Sequence, residues 1–190
     1  MPPRDEDLMR DVQAGRFTAF DELVRRYRQP LLRVASSKLA DRASAEDVVQ
    51  ETFLAAFAAR GTYRPELPFR TWLWTILLHL CYRQARQRNR LAVPQWVAVA
   101  AQPDAVCRTA ENHGGLNQLL AAEKQELLHA ALAKLPEVQA DALRLRFFGG
   151  LKFEEIAAAM ECSLNGAKQR VKQGLFKLAG LVPRPEERES

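Results

Sequence analysis

The chain has 190 residues, of which 47% are hydrophobic and 27% charged, a composition that excludes a wholly disordered or collagen-like protein. Lysine and arginine outnumber aspartate and glutamate by 28 to 23, and the net charge of +5 is compatible with an acidic partner such as nucleic acid. No apolar run approaches the roughly 20 residues of a membrane span, and no secretory signal is recognised. The isolated cysteines Cys81, Cys107 and Cys162 argue against a disulfide framework. We therefore expect a cytoplasmic protein.

Apolar residues recur every three or four positions along the N-terminal half, which predicts helices and no important strands. A short first helix should end at Gly15, and Pro30 should kink or split the second. Ser44 is predicted to cap the third helix, which ends at Gly61. Residues 62–68 are typical of a loop, and a long helix with a basic distal end follows.

Residues 92–117 show no sustained apolar periodicity, and a stretch of this length is uncommon inside one compact domain. We therefore predict an all-α chain of two small helical domains, at 1–91 and 118–182, joined by a flexible linker at 92–117. The tail at 183–190 is short and charged, and we expect it to be disordered.

Residues 152–171 fit a helix-turn-helix, in which a capped second helix enters the major groove. Ala157 is the small residue of the first helix, Ser163 the N-cap and Val171 the inner apolar residue of the second. Glu161 lies at a turn position that is often glycine, so we expect a costly left-handed conformation there. The second helix presents side chains that bind base edges and phosphates: Asn165, Lys168, Gln169, Arg170, Lys172 and Gln173. The alternative is an ordinary amphipathic helix with a solvated charged face.

The third predicted helix holds two adjacent valines, Val48 and Val49, which cannot both point at one narrow core stripe. One interpretation is that one valine faces a partner, rimmed by Asp47, Gln50 and Glu51. The other is a wide core face with solvated acidic residues. The pattern alone does not choose between them.

Residues 63–90 combine aromatic and basic side chains, the chemistry with which proteins stack on unpaired bases and hold phosphates. Trp72 lies on the apolar stripe of its helix and is predicted to be core. Trp74 falls off that stripe and is the better candidate for a base or partner contact. The alternative is that the arginines are solvated and only complement the helix dipole.

Residues that often carry catalysis form no constellation in this sequence. The histidines His79, His113 and His129 lie in different segments without metal-ligand spacing, and no glycine-rich phosphate loop is present. We predict no cofactor, no metal site and no enzymatic activity.

Four motifs occur in an order and spacing that together are specific, namely AEDVVQETF at 45–53, FRTWLWTI at 69–76, LPEVQ at 135–139, and FEEIA at 153–157 with KQR at 168–170. They resemble those of the bacterial alternative sigma factors of the extracytoplasmic-function group, within the sigma-70 family. The resemblance covers nearly the whole chain. It implies a protein that directs core RNA polymerase to promoters and assists promoter opening.

The resemblance also implies three sets of site residues. A surface that docks on the beta-prime coiled coil of core polymerase comprises Asp47, Val48, Gln50, Glu51 and Phe53, which favours the partner interpretation of the valines. Recognition and melting of the minus-ten element involve Tyr63, Arg64, Trp74, His79, Arg83 and Arg86. The helix-turn-helix touches the beta flap and reads the minus-thirty-five element through Ser163, Asn165, Lys168, Gln169, Arg170, Lys172 and Gln173. Many members of the group are held by an anti-sigma factor, which is the further partner class that the resemblance implies.

The sequence departs from the family pattern at three positions. His79 stands where many members carry asparagine, and Arg83 where many carry aspartate, so the minus-ten preference should differ. Gln169 replaces a small residue of the recognition helix and should shift the bases that are read.

Two other classes of protein share some of these features. A stand-alone helix-turn-helix regulator would dimerise on paired half-sites and would not need the surface at residues 47–53. A protein that mimics a sigma factor and sequesters its inhibitor would not need the basic face at residues 168–172.

Overall fold

The computed structural model describes residues 2–39, 41–91 and 126–181, with the backbone alone for residues 88–91. The N-terminal half comprises α1 (Asp5–Gln13), α2 (Thr18–Lys38), α3 (Arg42–Ala58), a 3-10 turn (Ala59–Thr62) and α4 (Phe69–Leu91). The C-terminal half comprises α5, helical over residues 126–133, then α6 (Glu137–Phe147), α7 (Phe153–Ala159) and α8 (Leu164–Leu181). All regular secondary structure in these ranges is helical, which confirms the predicted all-α class with two helical domains. The predicted linker at 92–117 and tail at 183–190 lie outside the described residues.

The core of the N-terminal half lies between α2, α3 and α4, and α1 packs against α2 and α4. Leu23 and Leu31 of α2 are fully buried, and so are Leu73 and Leu77 of α4. The two leucines of α2 are eight residues apart and those of α4 are four residues apart, so each helix turns one apolar stripe inward. The short α1 is also tied by a polar contact, because the Tyr27 hydroxyl donates a hydrogen bond to the Asp5 carboxylate.

Two local predictions in this half need correction. Pro30 does not split α2, which runs without a break from Thr18 to Lys38. Leu31 and Leu32, which follow the proline, are buried, and this burial offsets the hydrogen bond that the proline ring removes. The cap of α3 is Asp41 and not Ser44, since the Asp41 carboxylate accepts a 2.8 Å hydrogen bond from the Ser44 backbone N–H.

Close contact between α6 and α8 organises the C-terminal half. At Gly174 of α8, an added Cβ would lie 2.9 Å from Cδ1 of Leu143 in α6, so no larger residue fits without movement. The buried side of α8 consists of Ala167, Val171 and Gly174. Leu175, which lies four residues after Val171, is 42% exposed. The side of α8 that faces α6 therefore continues from Val171 to Gly174, because α6 and α8 approach too closely for a leucine between them.

The long helix α4 packs on two sides. It contacts α2 and α3 within its own half and α7 of the other half, and α2 also contacts α6. Accordingly, buried residues on α4 occur as adjacent pairs, at Leu73 and Trp74, Leu77 and Leu78, and Leu80 and Cys81. A helix that is apolar around most of its circumference is buried on most of its circumference.

Gly174→Ala should lower the free energy of unfolding by about 1–3 kcal/mol, because the new methyl group overpacks against Leu143 and approaches the Gln139 carbonyl oxygen. Gly180→Ala is the matched control on the same helix. A Cβ there meets nothing within 4 Å, so helix propensity should raise stability by up to about 1 kcal/mol. Chemical denaturation checks both, and a Gly174→Ala variant as stable as Gly180→Ala would contradict the close approach.

Candidate nucleic-acid interface

The turn between α7 and α8 has the geometry of a helix-turn-helix. Cys162 donates its backbone N–H to the Ala157 carbonyl at 2.8 Å, and Glu161 donates to the Ala158 carbonyl at 3.2 Å. These two bonds form a Schellman motif, in which the first position after the C-cap takes a left-handed conformation. Glu161 occupies it with φ +49°, as predicted from the missing glycine. The Ser163 hydroxyl then accepts a 3.0 Å hydrogen bond from the Gly166 N–H and caps α8.

Helix α8 presents a cationic, amide-rich face. Its sequence holds four basic and no acidic residues. The side chains predicted to read DNA are exposed at Ser163, Asn165, Lys168, Gln169, Lys172 and Gln173, and Arg170 is partly buried. Asn165, Gln169 and Gln173 follow one another at four residues, as do Lys168 and Lys172, so these five share one side of the helix. The inner side is formed by the buried Ala157 and Val171, in the roles predicted for them.

One exposed residue on this side was not predicted. Phe176 is 83% exposed at the far end of the α8 face, beside Gln173 and Lys172 on a shallow surface depression. The available signal was its spacing, because position 176 follows Lys172 and Gln169 by four and seven residues.

Helix α4 carries three of the predicted minus-ten residues in one exposed row. His79, Arg83 and Arg86 are spaced by four and three residues and all face solvent. Trp74 does not join them, since it is fully buried, with its ring against Gly149 of the C-terminal half. Trp72 is only partly buried. Trp72 packs against the edge of the N-terminal core, as predicted. The prediction of an accessible Trp74 is wrong, because the C-terminal half covers the side of α4 on which it lies.

The loop before α4 is held by an aromatic cluster. Tyr63 is 4% exposed, its ring centroid lies 5.0 Å from that of Trp72, and its hydroxyl donates a 2.6 Å hydrogen bond to the Leu67 carbonyl. Burial raises the pKa of Tyr63 to about 12, so the hydroxyl stays protonated. Tyr63 therefore shapes the loop from within, while Arg64 beside it is exposed.

Helix α3 presents an acidic and apolar row to solvent. Asp47 and Gln50 are exposed and Glu51 is partly exposed. Val48 is 2% and Val49 4% exposed, so the expectation that one valine faces outward is wrong in this structure. The core face of α3 is wide enough for both because α2 and α4 flank it on two sides.

Two further residues of α3 complete this surface. Phe53 is 8% exposed and lies at the base of a groove, whereas Leu54 is 62% exposed. The groove has a volume of about 520 Å³ between α2 and α3, and its lining includes Phe20, Val24, Val49, Gln50, Phe53 and Leu54. Leu54 was not among the predicted residues, although it lies seven residues after Asp47 and therefore on the same side of the helix.

The α3 and α4 rows are linked by an ion pair. The Arg83 guanidinium donates a hydrogen bond to the Glu51 carboxylate, and both side chains are about half exposed. An acidic residue of one predicted surface thus orients a basic residue of the other.

Two other kinds of site are absent from the described ranges. No group of three or more His, Cys, Asp and Glu residues within 2–39, 41–91 and 126–181 has the arrangement of a metal site. Within the same ranges, no helix is both long and apolar enough to cross a membrane.

The fold and these surfaces define a DNA-binding protein of the helix-turn-helix class. Two family models identify the chain more narrowly than this class. The model of sigma-70 region 2 matches residues 23–91, and that of sigma-70 region 4 matches residues 125–178.

Relatives match over most of their length. The chain is 31% identical over 172 residues to the RNA polymerase sigma-H factor of Pseudomonas aeruginosa, covering 88% of each chain. It is 30% identical over 175 residues to the ECF RNA polymerase sigma-E factor of Salmonella typhimurium, again covering 88% of each. The solved structure of the sigma factor RpoE in complex with the anti-sigma factor NepR, from Bartonella quintana, superposes with a TM-score of 0.68 at 26% identity, covering 87% of this chain and 98% of that one. The chain belongs to the sigma-70 family, in its extracytoplasmic-function group, and is a sigma factor.

Glu161→Gly should raise the free energy of unfolding by about 1 kcal/mol, because glycine adopts the left-handed conformation without the steric cost of a Cβ. Glu161→Ala is the matched control, since it also removes the carboxylate but keeps the Cβ. We expect it to show no such gain in a chemical denaturation experiment. Equal stability of the two variants would contradict the strain.

Proposed function

We propose that this sigma factor tethers two weak DNA readers to core RNA polymerase and thereby selects promoters. Residues 1–91 bind core polymerase and the minus-ten element, residues 118–182 bind the minus-thirty-five element, and residues 92–117 join them. Each reader alone binds DNA weakly, and attachment to the polymerase supplies a high effective concentration for both. The main support for this proposal is that the chain matches sigma-70 region 2 and sigma-70 region 4, in that order, and exposes a separate surface in each.

Helix α3 is the surface that we assign to the beta-prime coiled coil. Asp47 and Gln50 supply polar contacts, Glu51 acts partly through Arg83, and the exposed Leu54 supplies an apolar anchor beside the groove. Val48 and Phe53 support this surface from beneath instead of touching the partner. An apolar anchor inside a polar rim is the usual arrangement of an energetically important interface.

Promoter reading is divided between α4 and α8. His79, Arg83 and Arg86 form a basic row for the backbone and bases of the minus-ten strand, with Arg64 at the adjoining loop. Trp74 contributes as a stacking platform once its ring is uncovered. On α8, the capped N-terminus and lysines bind phosphates, and the amide side chains of Asn165 and Gln169 read base edges in the major groove.

The remaining parts of the proposal concern setting and partners. The protein carries out no chemistry of its own and needs no cofactor, because the polymerase supplies catalysis. It works in the bacterial cytoplasm, where the polymerase and promoters are. The beta flap is a second contact on the polymerase, through residues 118–182. An anti-sigma factor is a further partner, as in the Bartonella quintana complex.

Asp47→Arg should weaken binding to sigma-free core polymerase at least about tenfold, because it reverses a charge beside the Leu54 anchor. Glu66→Arg makes the same charge reversal at an exposed loop position of the same half and should leave affinity unchanged. Fluorescence titration with labelled chain measures both. If the two variants bind core equally well, the assignment of α3 is wrong.

Gln169→Ala in the holoenzyme should relax base preference at one position of the minus-thirty-five element, because a bidentate amide contact contributes about 1–3 kcal/mol of discrimination. Lys172→Ala should weaken all promoters alike and reduce the salt dependence by about one counterion. Run-off transcription on a promoter set with single-base changes separates the two effects. A uniform loss for Gln169→Ala would contradict base reading by this residue.

A further inference from the structure

A buried ionic cluster joins the two halves of the chain. Nζ of Lys38, near the end of α2, lies 2.7 Å and 2.9 Å from the two carboxylate oxygens of Asp141 in α6. It also donates to the Glu137 carboxylate at 2.8 Å. The Lys38 side chain is 4% exposed and that of Asp141 is fully buried. The pair therefore lies in the interface and not on the rim.

Further polar groups surround the same carboxylate. Asp141 accepts a 2.6 Å hydrogen bond from the Tyr82 hydroxyl of α4 and a 3.0 Å bond from Arg144. Arg144 also donates through Nε to the Ser37 carbonyl at 3.1 Å. The donors thus come from α2, α4 and α6, and both halves are needed to complete the cluster.

Such a cluster favours one arrangement of the domains over others. Charges that leave water are tolerated only when their hydrogen bonds are satisfied, and removal of one partner leaves the others buried and uncompensated. Separation of the two halves returns the same groups to water, where each is solvated by itself. We call the arrangement in which the two halves are in contact the closed arrangement. The cluster therefore specifies the closed arrangement without making it permanent.

A second set of contacts covers one side of α4. Nη2 of Arg70 donates to the carbonyls of Gly149 at 2.8 Å and Gly150 at 2.9 Å, between α6 and α7. Trp74 lies against Gly149, where an added Cβ would be 3.1 Å from its ring. Nε2 of His79 lies 3.8 Å from the carboxylate of Glu161, the turn residue of the helix-turn-helix. The side of α4 that carries Trp74 and His79 is therefore packed against the loop before α7 and the turn after it.

The fit around Trp74 is incomplete. Its indole N–H is buried and has no hydrogen-bond partner among the described residues. A buried donor without an acceptor destabilises the state that contains it. The closed arrangement therefore leaves one group of α4 that gains an acceptor when the side is uncovered.

We propose that the contact between the halves is a self-inhibited state of the free chain, which the Lys38–Asp141–Arg144 cluster holds closed. Elements named minus-ten and minus-thirty-five lie about 25 base pairs apart, on the order of 80 Å of duplex. Residues that face each other within 4 Å cannot engage both elements, so the chain must open to work. Closure is a property of the free chain, and only its inhibitory effect rests on the proposed function.

Two substitutions release the cluster from opposite sides. Asp141→Ala leaves Lys38 and Arg144 without their carboxylate, and alanine keeps α6 helical. Lys38→Met removes the charge from the N-terminal half but keeps the apolar stem, so it tests closure even where the first variant destabilises its domain. Glu154→Ala removes one carboxylate from an exposed position of α7 and is the matched control.

Opening is measured on the full chain without polymerase or DNA. Small-angle scattering gives the radius of gyration, and mass spectrometry follows alkylation of Cys81. This thiol is fully buried, and burial raises its pKa to about 12, with Lys38, Asp141 and Arg144 also acting on it electrostatically. We expect both cluster variants to increase the radius of gyration and to raise the alkylation rate at least about tenfold, with circular dichroism unchanged. The control should match the wild type.

The inhibitory effect is measured with core polymerase. The chain concentration that half-saturates run-off transcription should fall at least about threefold in the open variants, because a larger fraction is competent. The proposal is overturned if the wild type is as extended as the variants, if both variants stay compact, or if opening leaves half-saturation unchanged. Failure of the proposed sigma function would give a different result. Neither the wild type nor the variants would then support transcription, but the scattering and alkylation experiments would still show whether the chain is closed.

Discussion

The packing of both sides of α4 is the constraint on which the structure depends. Leu73 and Leu77 on one side close the N-terminal core, and Trp74 on the other lies under the C-terminal half. What remains exposed is a narrow row that holds His79, Arg83 and Arg86. A helix used in this way cannot change one side without affecting the other, so core stability, domain arrangement and promoter reading meet in one element.

The sites themselves arise from two different kinds of interaction. The turn of the helix-turn-helix is built from local backbone bonds, the Schellman motif at Glu161 and the cap at Ser163, and the packing of α8 on α6 then holds the second helix in place. The α3 surface is built from long-range packing, because Val48 and Val49 are buried only where α2 and α4 flank them. The first kind of site keeps its shape as the domains move. The second depends on an intact N-terminal core.

These two kinds of interaction also explain what the sequence predicted. The helical class, the end of α1 before Gly15, the Ser163 cap and the left-handed Glu161 follow from local rules and agree with the structure. The split of α2 at Pro30 and the outward valine of α3 were wrong because tertiary burial overrode the local pattern. The burial of Trp74 and the contact of Lys38 with Asp141 were out of reach, since they depend on which surfaces of the two halves meet, and no periodicity encodes that. The roles of individual DNA-facing and polymerase-facing residues stay predictions.

The most direct test of the central claim is transcription by sigma-free bacterial core polymerase with and without this chain, with both components first run together on a sizing column. We expect a one-to-one complex with core that starts RNA synthesis at defined promoter positions, whereas core alone does not. This expectation would be contradicted by a chain that elutes apart from core as a dimer and adds no promoter-specific transcript. That result would instead favour a free-standing helix-turn-helix regulator.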